Sequence, residues 1–204
     1  MPSRYSMGAI MLHWAIAIAV IVAWRIAESA EHASEAQEAA IMADHMAVGM
    51  LILLLTLARL AWRLMHAQPP FPADIAGWER IAARLVHVTF YVLLVGLPLM
   101  GWLGSSMEGA AIDVFGAFTI PGLPVAADRG LGHEILEVHG ALGEIMLYLI
   151  VLHVLGALKH HFVDRNGELY RMLPFGTPGF LGSSRPMCQA GRPGGAPSAR
   201  RSCP

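Results

Sequence analysis

Four long apolar segments constrain the fold of this 204-residue chain more than any other feature. They cover roughly residues 7–27, 41–64, 81–103 and 135–162. A helix of about 20 apolar residues crosses a hydrocarbon core of about 30 Å. The chain is 55% hydrophobic and 14% charged, whereas soluble domains usually carry about 25% charged residues. The sequence therefore predicts an all-α integral membrane protein, folded as a four-helix bundle.

The basic residues predict the orientation of this bundle, because cytoplasmic loops of membrane proteins are enriched in Lys and Arg. The first and third connections are mainly acidic. The chain start, the second connection and the exit from the fourth segment are basic, and we place them, with both termini, in the cytoplasm. Their basic residues are Arg4, Arg59, Arg63, Arg80, Arg84, Lys159, Arg165 and Arg171.

The remaining segments complete the expected organisation. Residues 1–174 form one membrane domain, and residues 175–204, rich in Gly, Pro, Ser and Arg, are expected to be a disordered tail. The prolines of 69–72 predict the cytoplasmic turn, and Pro98 predicts a kink in the third helix. The connection 104–134 is long for a bundle, and we expect a short surface helix within it.

Histidines inside the apolar segments point to the chemistry. His139 and His153 are fourteen residues apart, which places them on one helix face with roughly 21 Å of rise between them. His45 is expected at the depth of His139, and His13 at the depth of His153. Ionisable side chains in membrane helices are costly and usually mark a functional site.

Two imidazoles at one depth are suitable axial ligands for a b-type haem. The depth-matched pairs therefore predict two haems in the bundle core, with four histidines as ligands and Gly49, Gly143 and Gly156 giving clearance to the macrocycles. Arg59 lies on the face of His45, where it would either pair with a haem propionate or extend to the membrane interface.

Several alternatives remain open at this point. His87 could replace His13 as the partner of His153, or bond a propionate or quinone instead. Glu144 could be a proton relay or a polar group that faces the bundle. A histidine-based metal-ion transporter is an alternative function for the whole chain.

Several motifs together resemble the bacterial cytochrome b561 family over roughly residues 4 to 174. They are Arg4-Tyr5-Ser6, Leu12-His13-Trp14, His45 with Arg59 and Arg63, His87, Leu136-Glu137-Val138-His139, His153, His160-His161 and Arg171-Met172-Leu173-Pro174. The resemblance implies a dihaem cytochrome of the bacterial inner membrane that exchanges electrons between a periplasmic donor and ubiquinone.

The resemblance also implies particular roles. It makes His13, His45, His139 and His153 the haem ligands, and it places His160 at the quinone site, where Arg80 or Arg84 could also lie. The family includes a superoxide:ubiquinone oxidoreductase, although the acidic outer connections are poorly suited to steering an anionic donor. Membrane lipid is an expected partner, and nucleic acid is not. The alternative role is a haem-bearing anchor subunit of a larger dehydrogenase or hydrogenase.

Overall fold

The computed structural model describes residues 4–70, 75–164 and 168–174. Its main elements are four helices, α1 (Met7–Ala30), α2 (Glu35–Met65), α3 (Gly77–Met107) and α4 (Arg129–Phe162). A two-stranded hairpin, β1 (Ile112–Val114) and β2 (Phe118–Ile120), separates α3 from α4, and a 3-10 turn, Glu168–Arg171, follows α4. The expected tail, 175–204, and part of the proline-rich turn lie outside the described residues.

The four helices are each long and apolar enough to cross a membrane. α2 and α4 begin six residues before the predicted apolar segments, at Glu35 and Arg129, because polar side chains cap their starts. Asp128 accepts a hydrogen bond from the Leu131 N–H at 3.1 Å, and the Gln37 side chain bonds back to Ser34. Such bonds satisfy backbone donors that the first turn of a helix leaves unpaired. Apolar composition therefore marks the membrane-crossing part of each helix and not its ends.

The connection between α3 and α4 differs from the prediction of a short surface helix. It forms an antiparallel hairpin in which Ile112 pairs with Ile120 and Val114 with Phe118. Gly116 has φ +71° in the connecting turn, a conformation that glycine adopts without steric cost. Its N–H donates to Asp113 at 2.8 Å. Ile112 is buried where β1 packs against α2, so the hairpin closes one end of the bundle.

The helices are arranged as two antiparallel pairs. α1 packs along α2, α3 packs along α4, and α2 joins the pairs by packing against α3, whereas contact between α1 and α4 is slight. α3 continues through Pro98 as one helix. We call the end where α1 and α3 begin the basic end, and the end that carries the hairpin the acidic end.

The bundle core lies midway between these ends. It consists of small and branched apolar side chains from α1 and α2, against which Leu94 of α3 and Met146 and Ile150 of α4 pack. The buried members are Ile16, Ala19, Val20, Ala23, Val48 and Ile52. The outer face of α4 is exposed and apolar at Val151, Leu152 and Leu155, as expected for a helix that contacts lipid.

Candidate functional site: two histidine levels

The first histidine level lies toward the acidic end, between α2 and α4. The ring centroids of His45 and His139 are 6.0 Å apart, and the ring planes are nearly perpendicular, at 84°. Neither side chain is fully exposed. The predicted pairing of these two residues by depth therefore corresponds to close approach in space.

Each histidine of this level is oriented by a backbone carbonyl of a neighbouring helix. Nδ1 of His45 donates to Ala23 O, and Nδ1 of His139 donates to Leu97 O, both at 2.9 Å. A carbonyl oxygen can only accept, so Nδ1 carries the proton and Nε2 keeps its lone pair. Metal-binding histidines are usually held in this way, with the second ring nitrogen on a carbonyl or carboxylate.

Glycines set the position of His139 against α3. A Cβ on Gly101 would lie 3.4 Å from Cε1 of His139. One turn closer to the acidic end, a Cβ on Gly104 would lie 2.8 Å from Leu136 Cγ and 3.1 Å from Gly132 O. The two helix backbones can approach this closely only because these positions lack side chains.

The second level lies toward the basic end and contains three histidines. The His153 ring is 6.3 Å from that of His13 and 5.4 Å from that of His87. Phe90 packs edge-on against the same ring, at 5.5 Å. Nδ1 of His87 donates to Ala83 O of its own helix at 2.6 Å. Both candidate partners of His153 are therefore in place, and the choice between them remains a prediction.

Arg59 lies beside this second level. Its Nη1 donates to Ala9 O at 2.7 Å, and its Nε donates to the Tyr91 hydroxyl at 3.2 Å. Its positive charge acts on both His13 and His153. The guanidinium is held within the bundle by α1 and α3 and does not simply extend into solvent, which favours the predicted role as partner of an anionic group.

The apolar core separates the two histidine levels. On α4, Met146 and Ile150 occupy the interval between His139 and His153 and pack against the buried apolar cluster of α1 and α2. The structure thus contains two histidine centres, one on each side of an apolar layer.

The residues of both levels fit b-type haem. Metal–imidazole bonds are about 2 Å long, so two imidazoles on opposite sides of one metal ion have ring centroids roughly 6 Å apart. The observed separations are 6.0 Å and 6.3 Å. A Cβ on Gly49, Gly143 or Gly156 would meet no atom within 4 Å, so these glycines border open space and not a packed helix.

The basic end carries a further polar cluster, formed by the ends of α3 and α4. Lys159 Nζ bonds to Glu79 Oε1 and, at 2.7 Å, to Asp164 Oδ2. Nδ1 of His160 lies 2.6 Å from the same Asp164 oxygen. The hydrogen bond from Lys159 lowers the pKa of Asp164, with a smaller contribution from His160, and so keeps this carboxylate ionised.

Residues 168–174, which we call the exit segment, return to the start of α1. Arg4 donates to Leu173 O, and Trp14 Nε1 donates to Met172 O at 2.8 Å. Arg171 is buried, lies over the Tyr5 ring and donates to Pro70 O at 2.9 Å. The first and last motifs of the resemblance are thus in contact at the basic end.

Other predicted residues lie apart from the two levels. Glu144 is exposed on α4, away from the bundle interior. Arg80 donates to Ile75 O at 3.1 Å, and the Arg84 side chain is exposed. Near the acidic end, Arg25 is paired with Glu28 at 2.6 Å.

Sequence reasoning missed the partners that orient these side chains. The Ala23 and Leu97 carbonyls carry no signal in the sequence, because any residue offers one. Asp164 could have been found, since it follows His160 by four residues, the spacing of neighbours on a helix. Glu79 could not, because its contact with Lys159 depends on how α3 and α4 pack.

Four membrane-crossing helices and two pairs of facing histidines define a multi-pass membrane protein with centres suited to b-type haem. The family model of prokaryotic cytochrome b561 matches residues 4–175. The chain belongs to this family, which confirms the predicted resemblance and implies b-type haem, electron transport and oxidoreductase chemistry.

Individual relatives support the same assignment. The chain is 32% identical to "Cytochrome b561 homolog 2" of Escherichia coli (strain K12) over 181 residues, or 84% of this chain and 92% of that protein. It is 28% identical to "Probable superoxide oxidase CybB" of Yersinia pestis over 176 residues, or 85% of this chain and 98% of that protein. "Cytochrome b561 homolog 1" of Escherichia coli (strain K12) is 24% identical over 174 residues, or 84% and 98%.

Proposed function

We propose that this protein transfers electrons across the bacterial inner membrane, through two b-type haems, from a periplasmic donor to ubiquinone. In this arrangement the basic end and both termini are cytoplasmic, as the distribution of Lys and Arg predicts. The observation that carries the proposal is the pair of histidine levels, at 6.0 Å and 6.3 Å ring separation, on either side of an apolar layer.

The chain's own residues supply ligands and charge. His45 and His139 would hold one haem on the periplasmic side, and His13 and His153 would hold the other on the cytoplasmic side. Haem supplies a one-electron redox centre when bound. The carbonyls of Ala23 and Leu97 keep two of the ligands in the metal-binding tautomer. Arg59 would neutralise a propionate at the second level.

Superoxide is the proposed donor. Support comes from the name of the Yersinia pestis relative, a probable superoxide oxidase. The charge of the acidic end weakens electrostatic steering of an anion, and Arg25 is already paired with Glu28. Because salt screens the repulsion between an anion and an acidic face, the rate of reduction by superoxide should rise with ionic strength.

Ubiquinone is the proposed acceptor at the basic end, close to His160. Reduction of a quinone consumes protons, and the ends of α3 and α4 present titratable side chains there, at the face that we assign to the cytoplasm. Partial exposure of His160 and Asp164, whose side chains are 17% and 28% exposed, is compatible with proton uptake from water.

A reduced-minus-oxidised visible spectrum of the purified protein, with haem counted per chain, tests the proposal. We expect two b-type haems, reduction by superoxide and reoxidation by a short-chain ubiquinone. Purified protein that binds no haem would overturn the proposal. Haem reduction only with a stoichiometric soluble partner would favour the anchor-subunit alternative.

A metal-ion transporter agrees less well with the structure. A transported cation needs polar groups along its path, but the core cluster between the two histidine levels is apolar in the described chain, and the one buried hydroxyl described on α2 between His45 and Arg59 is that of Thr56. We therefore expect the purified protein to show Soret absorption and to transport neither zinc nor copper.

A further inference from the structure

The polar cluster at the basic end joins two helices through one lysine. Lys159 of α4 bonds to Glu79 of α3 and to Asp164, just beyond α4. Asp164 also receives the Nδ1 hydrogen bond of His160, at 2.6 Å. These contacts fix the His160 ring through a carboxylate that is itself held in place.

A carboxylate on Nδ1 has two chemical effects on His160. An ionised carboxylate is only an acceptor, so the hydrogen bond places a proton on Nδ1 and leaves Nε2 available to bind another proton. The same negative charge stabilises the imidazolium that forms when Nε2 is protonated. An Asp–His pair acts in this way in hydrolases, where the aspartate orients the ring and does not itself exchange the proton.

Charged groups of two helices surround the His160–Asp164 pair. Glu79 faces His160 from α3, while Lys159 and Asp164 lie on its own side of the bundle. From the exit segment, Tyr170 packs against the neighbouring His161, with the ring centroids 5.2 Å apart.

The same residues are close enough to be considered as cation ligands, since Glu79, His160 and Asp164 offer ligand atoms within 4.8 Å of one another. Lys159, however, bonds both carboxylates. Its ammonium group takes the place that a cation would need, and the cluster is better explained by proton chemistry.

We propose that Asp164 is a positioning residue for quinone reduction, which holds His160 so that Nε2 delivers a proton to the bound ubiquinone. The inference rests on the proposed function and adds the proton donor and the group that orients it. Lys159 and Glu79 hold Asp164 in place from α4 and α3.

In the proposed step, one proton moves from His160 to the quinone. The Nε2–H bond of the His160 imidazolium breaks, and an O–H bond forms at one quinone oxygen. Two electrons come from the proposed transfer reaction, and the second proton comes from water at the same face. Water then reprotonates Nε2, while the Nδ1 proton stays between His160 and Asp164.

The test compares reoxidation of the pre-reduced protein by two oxidants. A short-chain ubiquinone needs protons, whereas ferricyanide takes up single electrons without them. For Asp164→Asn we expect unchanged haem content and ferricyanide rate, and quinone-driven reoxidation at least about tenfold slower at pH 8. The difference in reoxidation rate between wild type and Asp164→Asn should become smaller toward pH 6, where proton supply is less limiting. Asp164→Glu, which keeps the charge, should recover part of the rate.

The positioning role has a readout that does not depend on turnover. Nitrogen-15 NMR of histidine-labelled protein, with His160 assigned through His160→Gln, should show the Nδ1-protonated tautomer in the wild type and its loss in Asp164→Asn. Glu137→Gln is the matched control, because it removes a carboxylate four residues from His133 in an exposed pair at the other end of α4. It should change neither measurement.

Reoxidation of the wild-type haems tests the proposed function, and reoxidation of the Asp164 variants tests the role of Asp164. Wild-type haems that quinone does not reoxidise would contradict the proposed function itself. If quinone reoxidises the wild-type haems normally, two results would overturn only the positioning role of Asp164. One is an unchanged reoxidation rate in Asp164→Asn, and the other is a loss of rate that is equal at every pH. If Asp164→Asn does not assemble, Asp164→Glu and the His160→Gln pH profile carry the test. If quinone reoxidises both Asp164→Glu and His160→Gln at the wild-type rate, the inference is also overturned.

Discussion

At the scale of the residue, the two histidines near the acidic end each use one ring nitrogen on the backbone and keep the other available. The Ala23 and Leu97 carbonyls therefore select the tautomer as well as the ring position. A carbonyl in a helix has a second lone pair, so it can accept this bond in addition to its helical one. The helix backbone thus acts as the second coordination shell of the candidate site.

Removing either histidine of this level should remove one haem. We expect His139→Ala and His45→Ala each to bind about half of the wild-type haem, because a proposed haem ligand is lost while the other level stays intact. The pyridine haemochrome assay measures haem per chain. His133→Ala, an exposed histidine on the same helix as His139, is the control and should bind the full amount.

The two candidate partners of His153 can be separated by the same assay. Position relative to the membrane favours His13, and we expect His13→Ala to lose the second haem. His87→Ala should keep it, with a shift in reduction potential caused by the altered surroundings of His153. Loss of haem in His87→Ala together with retention in His13→Ala would reverse the assignment.

At the scale of the element, close packing of α3 and α4 depends on two glycines. Gly104 and Gly132 meet backbone to backbone, and Gly101 adjoins the His139 ring. The α3–α4 pair thereby brings His139 to the Leu97 carbonyl. Changes in helix separation should therefore affect both stability and haem binding.

A side chain at this contact should force the helices apart. We expect Gly104→Val to destabilise the folded protein by about 1–3 kcal/mol, as overpacking usually does, and to reduce haem binding at the His45–His139 level. Thermal unfolding in detergent and haem content measure the two effects. Gly140→Ala is a matched control, because a Cβ there meets no atom within 4 Å. An unchanged melting temperature in Gly104→Val would contradict the packing argument.

The end of α4 should respond to acid through Asp164. The pKa of this group is below its ordinary value of 3.8 because of Lys159 and His160. Its stabilising contribution is complete above the ordinary value and is lost as pH falls through the lowered pKa. The difference in melting temperature between wild type and Asp164→Asn should be present near neutral pH and disappear in strong acid. A difference that grows with acidity would contradict this sign.

The sequence predicted which segments form helices better than it predicted where those helices begin and end. Apolar length is sufficient to identify membrane-crossing helices, because no other structure satisfies the backbone in lipid so simply. It did not predict the polar first turns set by Ser34 and Asp128, or the hairpin around Gly116. Paired histidine depths followed from helix geometry, whereas the Glu79–Lys159 contact depends on tertiary packing, which local spacing does not encode.

At the scale of the whole molecule, two helix pairs meet across an apolar layer. Val20, Ile52 and Leu94 are part of this layer, with Met146 and Ile150 from α4. The described core cluster between the two histidine levels is apolar, with Thr56 as a buried polar residue of α2 beside it, so loss of ligands at one level should leave the other level intact. The visible spectrum of His139→Ala should accordingly retain one normal b-type component.

Inward electron flow should be sensitive to membrane voltage. Moving one elementary charge across the full membrane changes its energy by about 2.3 kcal/mol per 100 mV. In proteoliposomes with the cytoplasmic face inside, an interior-negative potassium diffusion potential should slow turnover. Collapse of that potential should restore the rate. A rate independent of the imposed potential would contradict net charge movement between the two levels.

The apolar layer therefore has an electrical consequence. A layer of aliphatic side chains conducts neither protons nor metal cations, whereas an electron would pass between redox centres held on either side. Such a protein would pass electrons but neither protons nor metal cations, so that each inward electron carries negative charge into the cell. Turnover would then charge the membrane, and a reaction that removes a periplasmic reductant would at the same time conserve part of its energy as voltage.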